Sequence, residues 1–214
     1  DQQDAFNNQH TQWNDTDGDG YGDNWGNLSW NATRNVSWPG QWIQNANQQD
    51  GCPTISGNST IDVFGCLDND GDGWSNLVDD CLDSFGNSTA NSTYGCPDID
   101  GDSWADSQDA FPNDATQWSD GDGDGYGDNM NGTTPDACPT ISGNSTANST
   151  YGCPDSDGDG WANSQDDLPN DSTQWSDFDG DGYGDNQSGN NPDAFTNDST
   201  QWNDTDGDGY GDNQ

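Results

Sequence analysis

The sequence contains no lysine and no glutamate, and it has one arginine, Arg34, and one histidine, His10. Its 41 acidic residues are therefore all aspartate, and the formal net charge is -40. Because one cation cannot offset this charge, self-repulsion opposes a compact state unless positive charge comes from outside the chain. The same charge excludes nucleic acid as a partner, and the lack of histidine and lysine argues against acid–base catalysis. We expect a cation-binding protein that is not an enzyme.

Apolar residues are also scarce. Leu, Ile, Val and Phe together make up 19 of the 214 residues, and no apolar run is longer than two residues. We therefore expect no membrane span, and no apolar period indicates a long helix or a strand. Composition alone is typical of a disordered chain. If the chain folds, the expected fold class is mostly irregular coil with short helical turns and no conventional hydrophobic core.

What the sequence does contain is internal repetition. The phrase "DAFNNQHTQWNDTDGDGYGDN" at residues 4–24 recurs with small changes at 109–129, 166–186 and 193–213. Two other units alternate with it, an acidic loop of the form "DGDGW" and a loop enclosed by two cysteines. Such tandem units stabilise one another through their neighbours, which predicts an elongated, calcium-stabilised array. The predicted segments are a calcium repeat (1–23), a Trp-rich insertion (24–51), a disulfide loop (52–67), a calcium loop (68–80), a disulfide loop (81–97), paired calcium repeats (98–137), a disulfide loop (138–154) and calcium repeats with an open C-terminal half-site (155–214).

Seven acidic loops share one spacing. Numbered from its first aspartate, the loop "DSDGDGWANSQD" has Asp at positions 1, 3 and 5, Gly at 6, Asn at 9 and Asp at 12. This is the ligand spacing of an EF-hand-type calcium loop, in which position 7 supplies a backbone carbonyl and Gly at 6 permits a sharp turn. In chain order, loops 1 to 7 begin at Asp15, Asp68, Asp98, Asp120, Asp155, Asp177 and Asp204.

Loops 2, 3 and 5 carry the complete spacing. Ser103 replaces the glycine at position 6 of loop 3, so we expect that loop to turn less easily. The predicted ligands are Asp68, Asp70, Asp72, Trp74, Asn76 and Asp79 in loop 2, Asp98, Asp100, Asp102, Trp104, Asp106 and Asp109 in loop 3, and Asp155, Asp157, Asp159, Trp161, Asn163 and Asp166 in loop 5.

The four "DGDGYGD" loops have acids at positions 1, 3, 5 and 9 but none at 12. We predict that a later aspartate closes each of them, after an insertion in the case of loop 1. The predicted ligands are Asp15, Asp17, Asp19, Tyr21, Asp23 and Asp50 in loop 1, Asp120, Asp122, Asp124, Tyr126, Asp128 and Asp136 in loop 4, and Asp177, Asp179, Asp181, Tyr183, Asp185 and Asp193 in loop 6. Loop 7 (Asp204, Asp206, Asp208, Tyr210 and Asp212) is followed by no closing residue, whereas Asp4 follows no loop. We predict that Asp4 of one copy closes the site at Asp204 to Asp212 of the preceding copy, joining copies head to tail.

The predicted cofactor is Ca²⁺, about seven or more ions at one or two per loop. Ligands that are all oxygen favour calcium over zinc or copper. Asp in place of Glu at position 12 shortens the reach of the last ligand, which predicts weak sites of about 10⁻⁴ to 10⁻³ M, typical of extracellular modules. Asp114, Asp171 and Asp198 are candidate ligands of a second ion.

The phrases "NDATQWSDGDGDGYGD" and "NDSTQWSDFDGDGYGD", together with the loops "DxDGDGWxxxxD", resemble thrombospondin type-3 calcium repeats and their relatives in prokaryotic surface proteins. The resemblance covers all but residues 24–50 and the cysteine loops, and it implies a chain wrapped around rows of calcium ions. The cysteine pattern departs from the vertebrate form, so the disulfide wiring of that family does not carry over. The rival interpretations are a disordered acidic spacer, which does not explain a fixed register repeated seven times, and the calcium β-roll, whose motif "GGxGxD" is absent.

Six cysteines in a Gly- and Asn-rich chain indicate disulfides and an oxidising compartment. Three local pairs are the simplest of the many possible pairings, namely Cys52 with Cys66, Cys81 with Cys96, and Cys138 with Cys153. Sequons cluster on and near these loops and predict a glycosylated extracellular or cell-surface protein. The predicted acceptors are Asn27, Asn31, Asn35, Asn58, Asn87, Asn91, Asn131, Asn144 and Asn148.

The insertion places four tryptophans, at 25, 30, 38 and 42, beside Arg34. It has two interpretations, a small local core over loop 1 or a patch that binds a subunit or a sugar. The leading hypothesis for the whole chain is a structural segment of an extracellular fibre, stalk or filament. The alternative is a calcium-dependent adhesin or glycan-binding module that uses the insertion.

Overall fold

A computed structural model describes residues 4–34 and 37–212. In this part the chain is mostly coil, without α-helix or β-sheet, and its only named elements are the 3₁₀ turns Leu28–Trp30, Ala90–Ser92 and Ala147–Ser149. The expectation of an irregular fold is confirmed at this level. No helix among the described residues is long and apolar enough to cross a membrane. The predicted acceptor Asn35 lies outside the described residues.

The segments after position 7 of loops 2, 3 and 5 each form a single hydrogen-bonded turn. In loop 2 the backbone N–H groups of Val78 and Asp79 both donate to the Ser75 carbonyl, at 2.9 Å each. The turn does not continue because the Asp79 carboxylate accepts the N–H of Cys81, at 2.7 Å. A side chain that bonds its own backbone two residues on competes with helix formation.

The described chain divides into two compact units, Asp1–Asn113 and Asp114–Gln214. Instead of sheets, each unit contains isolated parallel β-bridges, most of which join an acidic loop or its closing aspartate to a later segment of the chain. The first unit has Gly22 with Gln49, Trp25 with Trp42, and Asp50 with Phe64; the second has Gly127 with Pro135, Asp136 with Tyr151, and Gly184 with Pro192. Five of these six bridges lie at or next to a predicted closing aspartate.

The buried side chains of the described residues are mainly polar. Apart from Trp25, the buried apolar residues are small, namely Ala46, Cys66, Cys96, Ala105, Cys153 and Ala162. The largest fully buried side chains are instead three glutamines, Gln12, Gln117 and Gln174, each 1% exposed. An interior of this kind is stabilised through hydrogen bonds and ions more than through apolar burial.

In three of the four "TQW" phrases the glutamine is buried and holds the chain that follows an acidic loop. The Gln117 amide nitrogen donates to the carbonyls of Asn129 and Thr133, at 3.1 and 3.0 Å, and its oxygen accepts the Asn129 N–H at 2.9 Å. Gly127 must be glycine, because a Cβ there would lie 2.1 Å from the Gln117 side-chain oxygen. Gln12 and Gln174 make corresponding bonds. This role of the glutamine was not predicted from the sequence, although "TQW" and "YGDN" recur together in the repeats and so indicate that the two segments interact.

The three local disulfides are confirmed. Cys52 bonds Cys66, Cys81 bonds Cys96, and Cys138 bonds Cys153. In each disulfide loop a buried serine hydroxyl accepts the N–H of the second cysteine, as Ser59 does from Cys66 at 2.9 Å. The same bond is made by Ser88 and Ser145.

Candidate metal centres

The carboxylates at positions 1 and 5 fix the backbone of each acidic loop. In loop 1 the two oxygens of Asp15 accept the N–H groups of Gly18 and Gly20, at 2.7 and 3.0 Å, and Asp19 accepts the N–H of Tyr21 at 2.9 Å. The same three bonds form in the other six loops. Each loop therefore forms a backbone cradle around its own aspartates.

Position 6 of these loops lies in the left-handed region that favours glycine. Gly73 of loop 2 has φ +103° and Gly160 of loop 5 has φ +100°. Ser103 of loop 3 adopts the same turn, with φ +86°. The turn expected to be difficult is therefore formed, at the steric cost of a Cβ in that region.

The three alternate aspartates of a loop converge. Among the described residues, the first three aspartates of loops 1 to 5 each form a group in which one carboxylate oxygen per residue lies within 4.8 Å of the others. Oxygen atoms at this spacing suit a hard divalent cation such as calcium. Several of the aspartate triplets could therefore hold metal ions.

Each late aspartate lies beside the loop that it was predicted to close. The backbone N–H of Asp50 donates to Gly22 at 2.9 Å, that of Asp136 to Gly127 at 2.8 Å, and that of Asp193 to Gly184 at 2.9 Å. The glycine is position 8 of the loop in each case. The 26 residues from Asn24 to Gln49 are thus an insertion, after which the chain returns to the position relative to its loop that the short segments of loops 4 and 6 reach directly.

Five of the six closing aspartates are buried and have one oxygen with no partner, whereas Asp109 of loop 3 is only partly buried. Asp50, Asp136 and Asp193 are each 1% exposed, and Asp79 and Asp166 are each 7% exposed. One oxygen of each accepts the N–H two residues later, at 2.7 to 2.8 Å. The other oxygen is buried and makes no hydrogen bond.

Further unpartnered carboxylate oxygens surround the closing ones. Both oxygens of Asp17, Asp122 and Asp179, at position 3 of loops 1, 4 and 6, are buried without a hydrogen bond. One carboxylate oxygen is buried without a hydrogen bond at each of Asp70, Asp100, Asp102, Asp157, Asp159, Asp181 and Asp185. Carboxylates that converge without hydrogen-bond partners repel one another and are unfavourable in their charged form, so aspartates in this arrangement need a cation. The residues present therefore fit a divalent ion with oxygen ligands, and it would be held by positions 3 and 5 and the closing aspartate.

Electrostatics agree with this geometry. The pKa of Asp50 is raised to about 7, mainly by burial and also by the charges of Asp19, Asp17 and Asp23, against the lowering effect of the Cys52 N–H. Burial is also the main cause that raises the pKa of the other closing aspartates, Asp79, Asp109, Asp136, Asp166 and Asp193. The charged form of these groups is unfavourable without a counter-ion, and a bound cation would restore it.

Position 9 fastens the start of the loop. The side-chain oxygen of Asn76 accepts the N–H of Asn69 at 3.0 Å, and that of Asp106 accepts the N–H of Ile99 at 2.8 Å. Asp23, Asp128, Asn163 and Asp212 bond position 2 of their loops in the same way, whereas Asp185 accepts the Ser176 hydroxyl. Because position 9 of such loops often binds calcium through a water, this bond is compatible with the predicted role, which stays a prediction.

The aromatic residue at position 7 packs against the segment that closes its loop. In the first unit Tyr21 stacks on Phe64 with ring centroids 5.3 Å apart, and Trp74 packs on Tyr94 at 4.8 Å. The second unit has Tyr126 on Tyr151 at 5.7 Å, Trp161 on Trp175 at 6.4 Å, and Tyr183 on Trp202 at 4.9 Å. The residue whose carbonyl was predicted as a ligand thus also attaches the next segment to the loop.

Asp4 and loop 7 each have part of this arrangement. Asp4 accepts the N–H of Phe6 at 2.8 Å, which is the turn that the closing aspartates make. The N–H of Ala5 donates to Trp13 at 3.1 Å, as the N–H of the residue after Asp193 does to Trp202 at 3.0 Å. Loop 7 keeps its internal bonds, and the ring of Tyr210 at its position 7 is 80% exposed.

The insertion packs over the closing segment of loop 1. The Arg34 guanidinium lies between the rings of Trp30 and Trp38, 4.3 and 3.7 Å from their centroids, and donates to the Asp50 carbonyl at 3.0 Å. Burial lowers the pKa of Arg34 to about 10. These contacts favour the interpretation as a local core, whereas a binding patch stays a hypothesis.

Asp114 and Asp171 have a local role. Their carboxylates accept hydrogen bonds from the backbone and hydroxyl of Thr116 and Thr173, and these bonds lower their pKa. Asp198 bonds Thr200 in the same way. Their role as ligands of a second ion stays a prediction. The predicted glycan acceptors within the described residues are all exposed, which makes them accessible but does not test modification.

A scan against protein-family models finds no match to this chain. A search of curated proteins finds none either. The likeness to thrombospondin type-3 repeats therefore rests on the motifs in the sequence.

Proposed function

We propose that this chain is a non-enzymatic, extracellular structural protein whose repeats are rigidified by calcium. The observation that carries this proposal is that five of the six closing aspartates have one buried oxygen that accepts no hydrogen bond. These five, in loops 1, 2, 4, 5 and 6, occupy the same place relative to an acidic loop. A recurrent, costly feature of this kind is explained if a cation is a structural component of each repeat.

The role of the ion is to replace a hydrophobic core. Few apolar side chains are buried in the described residues, and the net charge of -40 opposes compaction. A bound Ca²⁺ supplies two positive charges and connects aspartates from both ends of a loop. The thrombospondin type-3 resemblance, the three disulfides and the exposed sequons support an extracellular setting.

The same geometry supports a joint between copies. We propose that a segment of the Asp4 type closes a loop of the loop 7 type, with Trp13 packing on Tyr210. The support is that Asp4 already has the turn of a closing aspartate and that Tyr210 is exposed. The partner is a second copy of this chain, or adjoining sequence of the same kind.

Titration with calcium after chelation tests the central proposal. We expect binding of about seven or more ions and, on binding, slow hydrogen exchange at the closing aspartates. The control is to add sodium instead of calcium to the chelated protein, at equal ionic strength, because sodium screens charge without filling a divalent site. A chain whose exchange and hydrodynamic radius are the same with and without calcium would refute the structural role.

An adhesin function is the second candidate, because Trp42 of the insertion is 44% exposed. Binding of calcium-loaded protein to a glycan array, lost in Trp42→Ala, would support it. Trp42 suits this test better than Trp30 or Trp38, whose rings pack on Arg34. Phe178→Ala, which removes an aromatic residue 75% exposed outside the insertion, is the control.

A further inference from the structure

The disulfide loops contact the acidic loops through a glycine N–H. Gly57 donates to the position 5 carboxylate of loop 1, Asp19, at 3.1 Å. Gly86 donates to Asp72 of loop 2 at 3.2 Å, and Gly143 donates to Asp124 of loop 4 at 3.0 Å. Loops 1, 2 and 4 are the three whose closing aspartate is followed two residues later by a cysteine.

The same disulfide loops hold the closing aspartates. The first cysteine of each loop donates its N–H to the closing carboxylate two residues earlier, at 2.7 Å in all three cases. The residue after the closing aspartate donates to an aromatic carbonyl inside the disulfide loop, that of Phe64, Tyr94 or Tyr151, at 2.8 to 3.0 Å. These aromatic rings stack on position 7.

Loops 5 and 6 are closed by a segment without cysteine. There Leu168 and Phe195 donate to the closing carboxylates, at 2.8 and 2.7 Å, and Trp175 and Trp202 pack on position 7. Position 5 differs, since one oxygen of Asp159 and of Asp181 is buried and makes no hydrogen bond. The six closed loops thus include two kinds, one with a covalent lid and one without.

The disulfide places the glycine that contacts position 5. In the loop from Cys138 to Cys153, the N–H groups of Asn144 and Ser145 donate to the Cys153 carbonyl, both at 3.1 Å. Gly143 is so close to that carbonyl that a Cβ would lie 2.0 Å from its carbon. The glycine is therefore fixed by the second cysteine, and the closing aspartate by the first.

We propose that the three disulfide loops are covalent lids that position the cation ligands of loops 1, 2 and 4, so that cation binding there depends on an intact disulfide. Loops 5 and 6 bind independently of the disulfides. This inference rests on the proposed function, since it concerns the regulation of the same sites. Opening a lid by dithiothreitol transfers two electrons and two protons to the disulfide, which gives two cysteine thiols and the oxidised cyclic reagent.

The test is a calcium titration resolved by loop, with hydrogen exchange measured by mass spectrometry on the intact protein, oxidised or reduced and alkylated. On reduction we expect the calcium midpoint to rise by about tenfold or more for peptides that contain Asp50, Asp79 and Asp136, because an unlinked loop of this length loses its pre-organisation. Peptides that contain Asp166 and Asp193 should keep their midpoints within about twofold.

A Cys138→Ala, Cys153→Ala double variant tests one lid alone. Only the peptide with Asp136 should shift, while loops 1 and 2 of the same molecule report that folding and the other lids are intact. Equal shifts at all loops, or none at the lidded ones, would overturn the inference. Absence of calcium binding at every loop of the oxidised protein would instead refute the proposed function.

Discussion

Ser103 is a residue in a conformation that suits glycine. It occupies position 6 of loop 3 with φ +86°, where the glycine of loop 4, Gly125, has φ +94°. We expect Ser103→Gly to stabilise the calcium-loaded protein by about 0.5 to 1 kcal/mol, because removal of the Cβ relieves strain by more than the added freedom of the unfolded chain costs. Urea unfolding in saturating calcium measures the change.

Ser107→Gly is the control for this substitution. Ser107 is exposed, lies four residues further along and does not have a positive φ. Glycine should destabilise the protein slightly there, by about 0.5 kcal/mol, because only the entropy cost remains. If both substitutions destabilise equally, the turn of loop 3 is not strained.

Asp79 is the closing residue of loop 2, and its charge is separable from its hydrogen bond. Asp79→Asn keeps an oxygen that can accept the N–H of Cys81, now 2.7 Å away, but removes the charge from the unpartnered oxygen. We expect the calcium affinity of loop 2 to fall by about tenfold or more, since an amide is a weaker ligand than a carboxylate for a hard cation. Loop-resolved calcium titration provides the measurement.

The matched control is Asp83→Asn, which removes the same charge from an exposed residue four positions away. Its long-range effect on calcium affinity should be less than about twofold at physiological salt, because exposed charges are screened. Equal losses in the two variants would mean that net charge, and not the position of Asp79, determines binding.

The "TQW" segment depends on one buried glutamine. The Gln174 amide nitrogen donates to the carbonyls of Asn186 and Asn190, at 3.0 and 2.9 Å. Gln174→Glu replaces this donor by an oxygen that faces two carbonyls, so we expect a loss of about 3 kcal/mol in unfolding free energy and loss of calcium binding at loop 6. Urea unfolding and loop-resolved titration measure the two effects.

Gln165→Glu is the control for that change. Gln165 is exposed and its side-chain oxygen accepts the Thr150 hydroxyl, at 3.0 Å, a role that a carboxylate can also perform. Its effect should be within about 0.5 kcal/mol. A Gln174→Glu variant as stable as this control would show that the glutamine does not hold the segment.

The sequence predicted the features that follow from spacing and not those that follow from long-range hydrogen bonds. The converging aspartates, the late position of Asp136 and the local cysteine pairs could be predicted because each involves a residue type whose chemistry indicates its role and which recurs at a regular spacing. The roles of Gln117 and of Gly143 could not, because each is defined by contacts with carbonyls or carboxylates 10 to 19 residues away. In a chain without periodic apolar residues, such contacts determine the fold. The sequence indicates them only because the residues that make them recur in the repeats.

The scarcity of buried apolar surface has a consequence for the thermodynamics of the whole molecule. Heat capacity rises on unfolding because apolar surface is exposed, by about 12 to 15 cal/mol/K per residue in ordinary globular proteins. In this chain the described buried apolar residues are Trp25 and a few alanines and cysteines. We expect a heat-capacity change less than about half of the ordinary value, together with a melting temperature that rises steeply with free calcium because each filled site adds its binding free energy.

Scanning calorimetry over a range of free calcium concentrations tests this expectation, with sodium at matched ionic strength as the control. Sodium should raise the melting temperature only weakly, since screening reduces the repulsion of 41 aspartates but provides no ion within the loops. An ordinary heat-capacity change with a melting temperature independent of calcium would require an apolar core. The calcium-dependent result would instead mean that the acidic residues, which oppose folding when unpaired, become its main support once the ion is bound.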